Sequence, residues 1–149
     1  MKESNNPNGR ISTYALGSCL GVTCYDPMHQ IGALLHSMLP NRPSRGGENY
    51  TKAMCVDTGV PELLARMEGL GSKIHQCEFK IFGGAQLLAA GDYFKIGERN
   101  IQMMRQLATQ YQLRVKIWHT GGQLNRTIRL HLDSGGVMVR MPGRPETIL

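Results

Sequence analysis

The chain has 149 residues, of which 41% are hydrophobic and 19% charged; this suits one domain with a buried core and excludes a disordered composition. Lys and Arg outnumber Asp and Glu by 17 to 11, a net charge of +6, and aromatic residues make up only 6%, so we expect no nucleic-acid partner. No apolar run approaches the roughly 20 residues of a membrane span, and residues 1–10 lack the apolar stretch of a secretory signal. We expect a cytoplasmic protein without membrane insertion.

The first third of the chain predicts a flexible tail followed by three strands. Residues 1–10 are polar and contain Pro and Gly, which indicates a tail. Apolar and β-branched runs over residues 11–16, 19–25 and 31–38 predict strands, and the short turn between the second and third predicts a hairpin. Residues 39–49 contain two Pro and two Gly, which indicates a loop.

The rest of the chain predicts two helices and further strands. Asp57-Thr58 has the composition of a helix N-cap and precedes an apolar stripe at helical spacing, up to Gly69 and Gly71. The other elements, in order, are a strand over 77–82, a helical turn over 86–90, a helix over about 97–111, a strand over 113–118, and a hairpin formed by 126–132 and 137–141. Helices between β-rich ends predict a single α+β domain, residues 1–149, with mixed or antiparallel strands.

Metal and cofactor chemistry find little support in the sequence. Four cysteines are present, at positions 19, 24, 55 and 77, without a CxxC pair or a common zinc spacing. An even count allows two disulfides, but the absence of an export signal favours free thiols. We therefore expect no metal and no cofactor.

The segment around Cys19 could carry nucleophilic chemistry. Gly17 and Ser18 directly precede Cys19, and such small residues let the backbone turn sharply and leave N–H groups free to stabilise an oxyanion. Cysteine is also a common small core residue. Taken alone, the spacing favours a core role for Cys19.

His36 is the natural partner for Cys19. It lies seventeen positions further on, in the strand predicted to pair with the one that Cys19 begins, so the two side chains can share a sheet face. An imidazolium beside a thiol lowers the pKa of the thiol and favours the nucleophilic thiolate. A single His at a strand end more often makes one structural hydrogen bond.

A glycine pair follows the strand over residues 77–82. Lys80 to Ala85 resembles a phosphate loop only superficially, because it lacks the Gly-Lys-Ser/Thr ending. We interpret Gly83 and Gly84 as a tight turn packed against another element. Phe82, Gly83 and Gly84 are therefore candidates for the substrate-binding or oxyanion region, together with Gly17 and Ser18.

These segments together resemble the CheD family, the chemoreceptor glutamine deamidases of bacterial chemotaxis. The resemblance spans nearly the whole chain and is carried by motifs in the family's order. They are Leu16-Gly17-Ser18-Cys19, His36 with Leu39-Pro40, a Val-Asp-Thr-x-x-Pro-x-Leu-Leu stretch, Lys80 to Ala85, Ile96-Gly97-x-Arg99-Asn100, and Gly121-Gly122 followed by Arg126.

The resemblance implies a catalytic set of Cys19, His36 and Thr13, with Thr13 orienting the imidazole or the substrate. It implies a β-sandwich-like mixed core with flanking helices, similar to the catalytic domain of the cytotoxic necrotizing factor toxins. The implied reaction converts glutamines on chemoreceptor helices to glutamate through a thioester. The alternative is a non-catalytic binding module for a CheC-type phosphatase, which family members also bind. His119 and Asn125 depart from the family pattern.

Overall fold

The computed structural model describes residues 1–43, 50–86 and 95–149. Within these ranges the chain forms nine strands and two α-helices. In chain order they are β1 Lys2–Ser4, β2 Arg10–Leu16, β3 Leu20–Asp26, β4 Ile31–Ser37, α1 Val56–Gly69, β5 Glu78–Gly83, α2 Ile96–Gln110, β6 Val115–Thr120, β7 Arg126–His131, β8 Val137–Arg140 and β9 Thr147–Ile148.

The strands form two sheets. The first has the order β1-β4-β3-β5-β6 and the second the order β2-β7-β8-β9. All pairs are antiparallel except β5 and β6, because α2 connects those two strands and returns the chain to the same end of the sheet. The predicted α+β class with a mixed sheet is confirmed, and the likeness to the cytotoxic necrotizing factor domain stays a prediction.

Two apolar clusters hold three layers together. One joins the first sheet to the helices through residues such as Leu35, Leu63 and Met104. The other lies between the two sheets and includes Leu16, Phe82 and Ile128. The first sheet lies between the two clusters and is the central layer, which is why its middle strands, β3 and β4, are buried along nearly their whole length.

Three local expectations need correction or fall outside the description. The predicted tail is wrong, because β1 pairs with β4 through Lys2 and Leu34; its residues, Lys-Glu-Ser, have no apolar alternation that would indicate a strand. The N-cap of α1 is Cys55, and Asp57 lies in the first turn. The helical turn expected over 86–90 falls mostly outside the described residues. Neither α-helix in the described ranges has the length and apolarity to cross a membrane.

Gly83, at the end of β5, lets the backbone of that strand approach the carbonyl of Cys19 closely. Its φ is +96°, and a Cβ at this position would lie 2.2 Å from the carbonyl oxygen of Cys19. Gly71 has nearly the same φ, +95°, but a Cβ added there would meet no atom within 4 Å. Substituting the two glycines by alanine therefore distinguishes the cost of backbone strain, which both share, from the cost of steric overlap, which only Gly83 has.

We predict that Gly83→Ala lowers the free energy of unfolding by about 3 kcal/mol or more. Gly71→Ala, which carries the left-handed strain without the overlap, should cost only about 1–2 kcal/mol. Urea unfolding of both variants and the parent measures the difference. Equal losses would contradict the close approach between Gly83 and the Cys19 carbonyl.

Candidate active site

A hydrogen bond between the two sheets defines the centre of the candidate site. The hydroxyl oxygen of Thr13, on β2, lies 2.8 Å from Nδ1 of His36, on β4. Thr13 is buried and His36 is half-buried. The contact therefore fixes the half-buried imidazole ring at the boundary between the layers.

Strand alternation brings both side chains to this boundary. In β4, Leu34 packs into the cluster between the sheets, and His36 lies on the same face two residues later. In β2, Ile11 and Thr13 point inward in the same way. A register irregularity between Thr13 and Leu16, with a left-handed φ of 53° at Ala15, ends this alternation and redirects the chain towards Cys19.

Cys19 shares this face with His36. Gly21 is the direct register partner of His36, and Cys19 lies two residues before Gly21 and packs against the cluster between the sheets. Cys19 itself stands just before the first residue of β3. The predicted hairpin of β3 and β4 is present. No hydrogen bond joins His36 to Cys19 among the described residues, where His36 bonds to Thr13, so the pairing of Cys19 with His36 stays a prediction.

The backbone around Cys19 is fixed by three donors. The carbonyl of Gly17 accepts from the N–H of Ala85 at 2.8 Å, and the carbonyl of Cys19 accepts from the N–H of Gly84 at 2.8 Å. The carbonyl of Ser18 accepts from Nδ2 of Asn100 at 2.9 Å. Three consecutive carbonyls are therefore held by groups from outside the segment, and the sulfur position follows from that anchoring.

The glycine pair predicted near the site acts through this anchoring. Gly83 and Gly84 both have positive φ, +96° and +66°, which aims the N–H of Gly84 at Cys19. Phe82, which we expected in the substrate region, is fully buried in the cluster between the sheets. Its side chain is a core residue in this structure and does not face a substrate.

Asn100 is the residue whose part in the site the sequence did not reveal. It is fully buried on α2, and its Nδ2 donates to the carbonyls of Ser18 and Met38 at 2.9 and 3.1 Å. It therefore joins the segment before Cys19 to the chain just after the His36 strand. Its amide orientation is fixed because both partners are acceptors, and losing it would leave two carbonyls unpaired, at a cost of about 1–3 kcal/mol.

The feature of the sequence that could have indicated a role for Asn100 is its position in the buried stripe of α2. Gly97, Asn100, Met104 and Leu107 are the buried residues of α2, so one polar side chain stands among apolar and small ones. Such a residue needs hydrogen-bond partners in the interior. The sequence cannot say which groups those are, because they lie far away along the chain.

The pKa shifts favour a neutral thiol and a neutral imidazole. Burial raises the pKa of the Cys19 thiol, and a hydrogen bond from its own backbone N–H offsets part of that rise. Burial also lowers the pKa of His36, and the positive N-terminal ammonium lowers it further. The imidazolium–thiolate pair expected from the sequence is therefore disfavoured at rest, because desolvation penalises both ions.

Cys19 is the most accessible of the four cysteines, all of which are free thiols. It is half-buried, whereas Cys24, Cys55 and Cys77 are at most 1% exposed. The other three cysteines are therefore core residues, whereas Cys19 is not fully enclosed. A reagent in solution should reach Cys19 first.

His119, one of the two departures from the family pattern, holds a buried arginine. Nδ1 of His119 accepts from Nε of Arg126 at 2.9 Å, and burial together with that guanidinium lowers the pKa of His119. Arg126 also donates to the carbonyl of Gly121 at 2.8 Å, and the N–H of Gly121 donates to the carbonyl of Gly83. This chain of bonds supports the Gly83 turn from the side opposite Cys19.

Comparison with known proteins places the chain in a family. The family model described as CheD chemotactic sensory transduction matches residues 38–141. A protein of Syntrophus aciditrophicus named probable chemoreceptor glutamine deamidase CheD 1 is 38% identical, over 97% of this chain and 91% of its own length. A protein of Pyrococcus horikoshii named probable chemoreceptor glutamine deamidase CheD is 42% identical, over 89% of this chain and 83% of its own length. The chain belongs to the CheD family.

We predict that iodoacetamide alkylates Cys19 with a pH midpoint above about 8.5, the value of an unperturbed thiol. The reason is that burial raises the pKa of Cys19 and only the thiolate reacts. Mass spectrometry of the native protein across pH measures the rate, and Cys19→Ser, which leaves only the buried thiols, gives the background. A midpoint well below this value would mean that the resting pair is ionic.

Proposed function

We propose that this protein hydrolyses the side-chain amides of glutamines on chemoreceptor cytoplasmic helices, giving glutamate and ammonia, in chemotaxis adaptation. Cys19 is the nucleophile, His36 the general base and acid, and Thr13 the residue that orients the imidazole. The observation that carries this proposal is the contact between Thr13 and His36, made between the same two sheets whose cluster Cys19 packs against. Membership of the CheD family and the names of the relatives support it.

The first step forms a thioester. Nδ1 of His36 carries a proton and donates it in a hydrogen bond to Thr13 Oγ1, so Nε2 is free to act as a base. As the Cys19 sulfur bonds to the carboxamide carbon, its proton moves to Nε2 and the carbonyl oxygen becomes an oxyanion. The backbone N–H groups of Ser18 and Cys19 are our candidates to stabilise it, since the anchored carbonyls hold that segment still.

The second half of the reaction releases both products. The imidazolium of His36 protonates the departing amide nitrogen, the carbon–nitrogen bond breaks, and ammonia leaves. Water then loses a proton to His36 and attacks the thioester carbon. The carbon–sulfur bond breaks, the thiolate takes back the proton, and glutamate is released with the thiol regenerated.

The lowered pKa of His36 suits this role. A base must be unprotonated to act, and an unperturbed imidazole gains its proton at about pH 6.5. Because burial lowers the pKa of His36, the ring stays neutral to lower pH. The acidic limb of the profile of kcat/KM against pH should therefore lie below about 6.5.

We predict that the purified protein raises the mass of a chemoreceptor cytoplasmic fragment by about 1 Da for each glutamine converted. Cys19→Ala should lose nearly all conversion, since the thiol forms the covalent bond, whereas Cys55→Ala removes a thiol that lies in the core and should retain it. Mass spectrometry of tryptic peptides measures the change. Equal conversion by Cys19→Ala would contradict the mechanism, and no conversion combined with tight binding to a CheC-type phosphatase would favour the binding-module alternative.

We predict that Thr13→Val lowers kcat roughly ten- to a hundredfold with a small change in KM. Valine keeps the shape but removes the hydroxyl that fixes the ring, and misplaced catalytic groups cost rate more than binding. Thr13→Ser keeps the hydroxyl and should restore most of kcat. Steady-state kinetics on the receptor fragment separates the two parameters, and similar kcat values for the valine and serine variants would exclude an orienting role.

A further inference from the structure

The outer face of the second sheet is unusually cationic. Its four strands contain four arginines and no acidic residue. Arg126 points inward, as described above. By strand alternation Arg10, Arg129 and Arg140 point away from the core, since Ile11, Leu130 and Val139 are the buried neighbours.

These three arginines have no carboxylate partner among the described residues. None of the ion pairs that the described residues form includes Arg10, Arg129 or Arg140. The Nε of Arg129 donates only to the Ser12 hydroxyl, at 3.3 Å. An unneutralised row of cations attracts an acidic surface and speeds association with it.

The same face carries a groove with apolar walls. Its volume is about 540 Å³, and its lining combines Tyr14, Met138, Met141 and Pro142 with Arg129, Arg140 and one acidic residue, Glu146. Tyr14 is 66% exposed, and Ile148, beside Met138 on the same face, is 72% exposed. Apolar groups ringed by charge on an otherwise polar surface mark sites of protein contact.

The groove adjoins β2, the strand that contains Thr13 of the candidate site. Thr13 points between the sheets to His36, and the next residue, Tyr14, points outward and lines the groove together with Ala15. The chain then returns inward at Leu16 and reaches Cys19. Neither Cys19 nor His36 lines the groove. Because β2 is the edge strand of the second sheet, a segment bound in the groove can continue around that edge towards the candidate site.

We propose that this groove and the arginine row bind an acidic segment of the protein substrate that flanks the target glutamine. The proposal rests on the proposed function, because it takes the substrate to be a protein. Carboxylates of the segment pair with Arg129 and Arg140, and its apolar side chains pack on Tyr14 and the methionines. A nucleic acid fits less well, because Tyr14 is the only aromatic residue among those that line the groove.

The test measures binding of the chemoreceptor cytoplasmic fragment to the Cys19→Ala protein, which cannot turn it over. Adding Arg129→Glu and Arg140→Glu should weaken binding about tenfold or more. Raising the salt to about 0.5 M should weaken binding of the Cys19→Ala protein and have little effect on the variant with both reversals. A matched control, Lys52→Glu with Lys73→Glu, makes the same change in net charge near the two ends of α1 and should bind like the Cys19→Ala protein.

The outcomes separate this inference from the proposed function. Equal binding with and without the arginine reversals, or no binding by the Cys19→Ala protein, would overturn the inference even if the unmodified protein converts glutamine. If binding depends on the two arginines but the unmodified protein converts no glutamine, the docking surface is supported and the deamidase proposal is contradicted. Tighter binding to duplex DNA than to the fragment, lost on reversal of the arginines, would also overturn it. Unchanged Cys19 alkylation when the two reversals are made in the unmodified protein verifies that the site is intact.

Discussion

The geometry of the candidate site depends on the anchoring of three consecutive carbonyls, those of Gly17, Ser18 and Cys19. Their donors come from the turn after β5 and from α2, so the segment is held by elements distant in sequence. A thiol reacts productively only when its position relative to its base is fixed to a fraction of an ångström. Hydrogen bonds to backbone, unlike contacts of a flexible side chain, provide that precision without occupying the face on which a substrate must lie.

The two sheets each supply part of the candidate site, so the geometry of the site depends on the packing of the layers. His36 and Cys19 belong to the central sheet and its approach, whereas Thr13 comes from the outer one. A change in spacing between the sheets would break the hydrogen bond before it disturbed either sheet. Gly21 helps to keep that spacing small, because a Cβ there would lie 2.7 Å from Leu16 and 2.9 Å from Ile128.

Local pattern predicted most of the elements and the hairpin that joins Cys19 to His36, because alternation and turn residues are properties of neighbours in sequence. It failed at β1, whose three residues carry no apolar alternation and are strand only because β4 offers an edge. It gave Asn100 no role, since its partners are 82 and 62 residues away. Local pattern also indicated a lowered pKa for the Cys19 thiol, whereas burial raises that pKa. The spacing of residues in sequence does not reveal how far a side chain is desolvated.

The raised pKa of Cys19 affects how readily this half-buried thiol reacts with reagents in solution. Oxidants and alkylating agents attack the thiolate, so a thiol with a raised pKa resists both in the absence of substrate. In the proposed mechanism, the cost is that the proton of the thiol moves to His36 during the attack, against the same burial that lowers the pKa of the ring. The negative charge of the forming oxyanion offsets part of this cost, since it favours the imidazolium beside it. Reactivity is then coupled to the presence of a carboxamide, which a permanently ionised cysteine would not achieve.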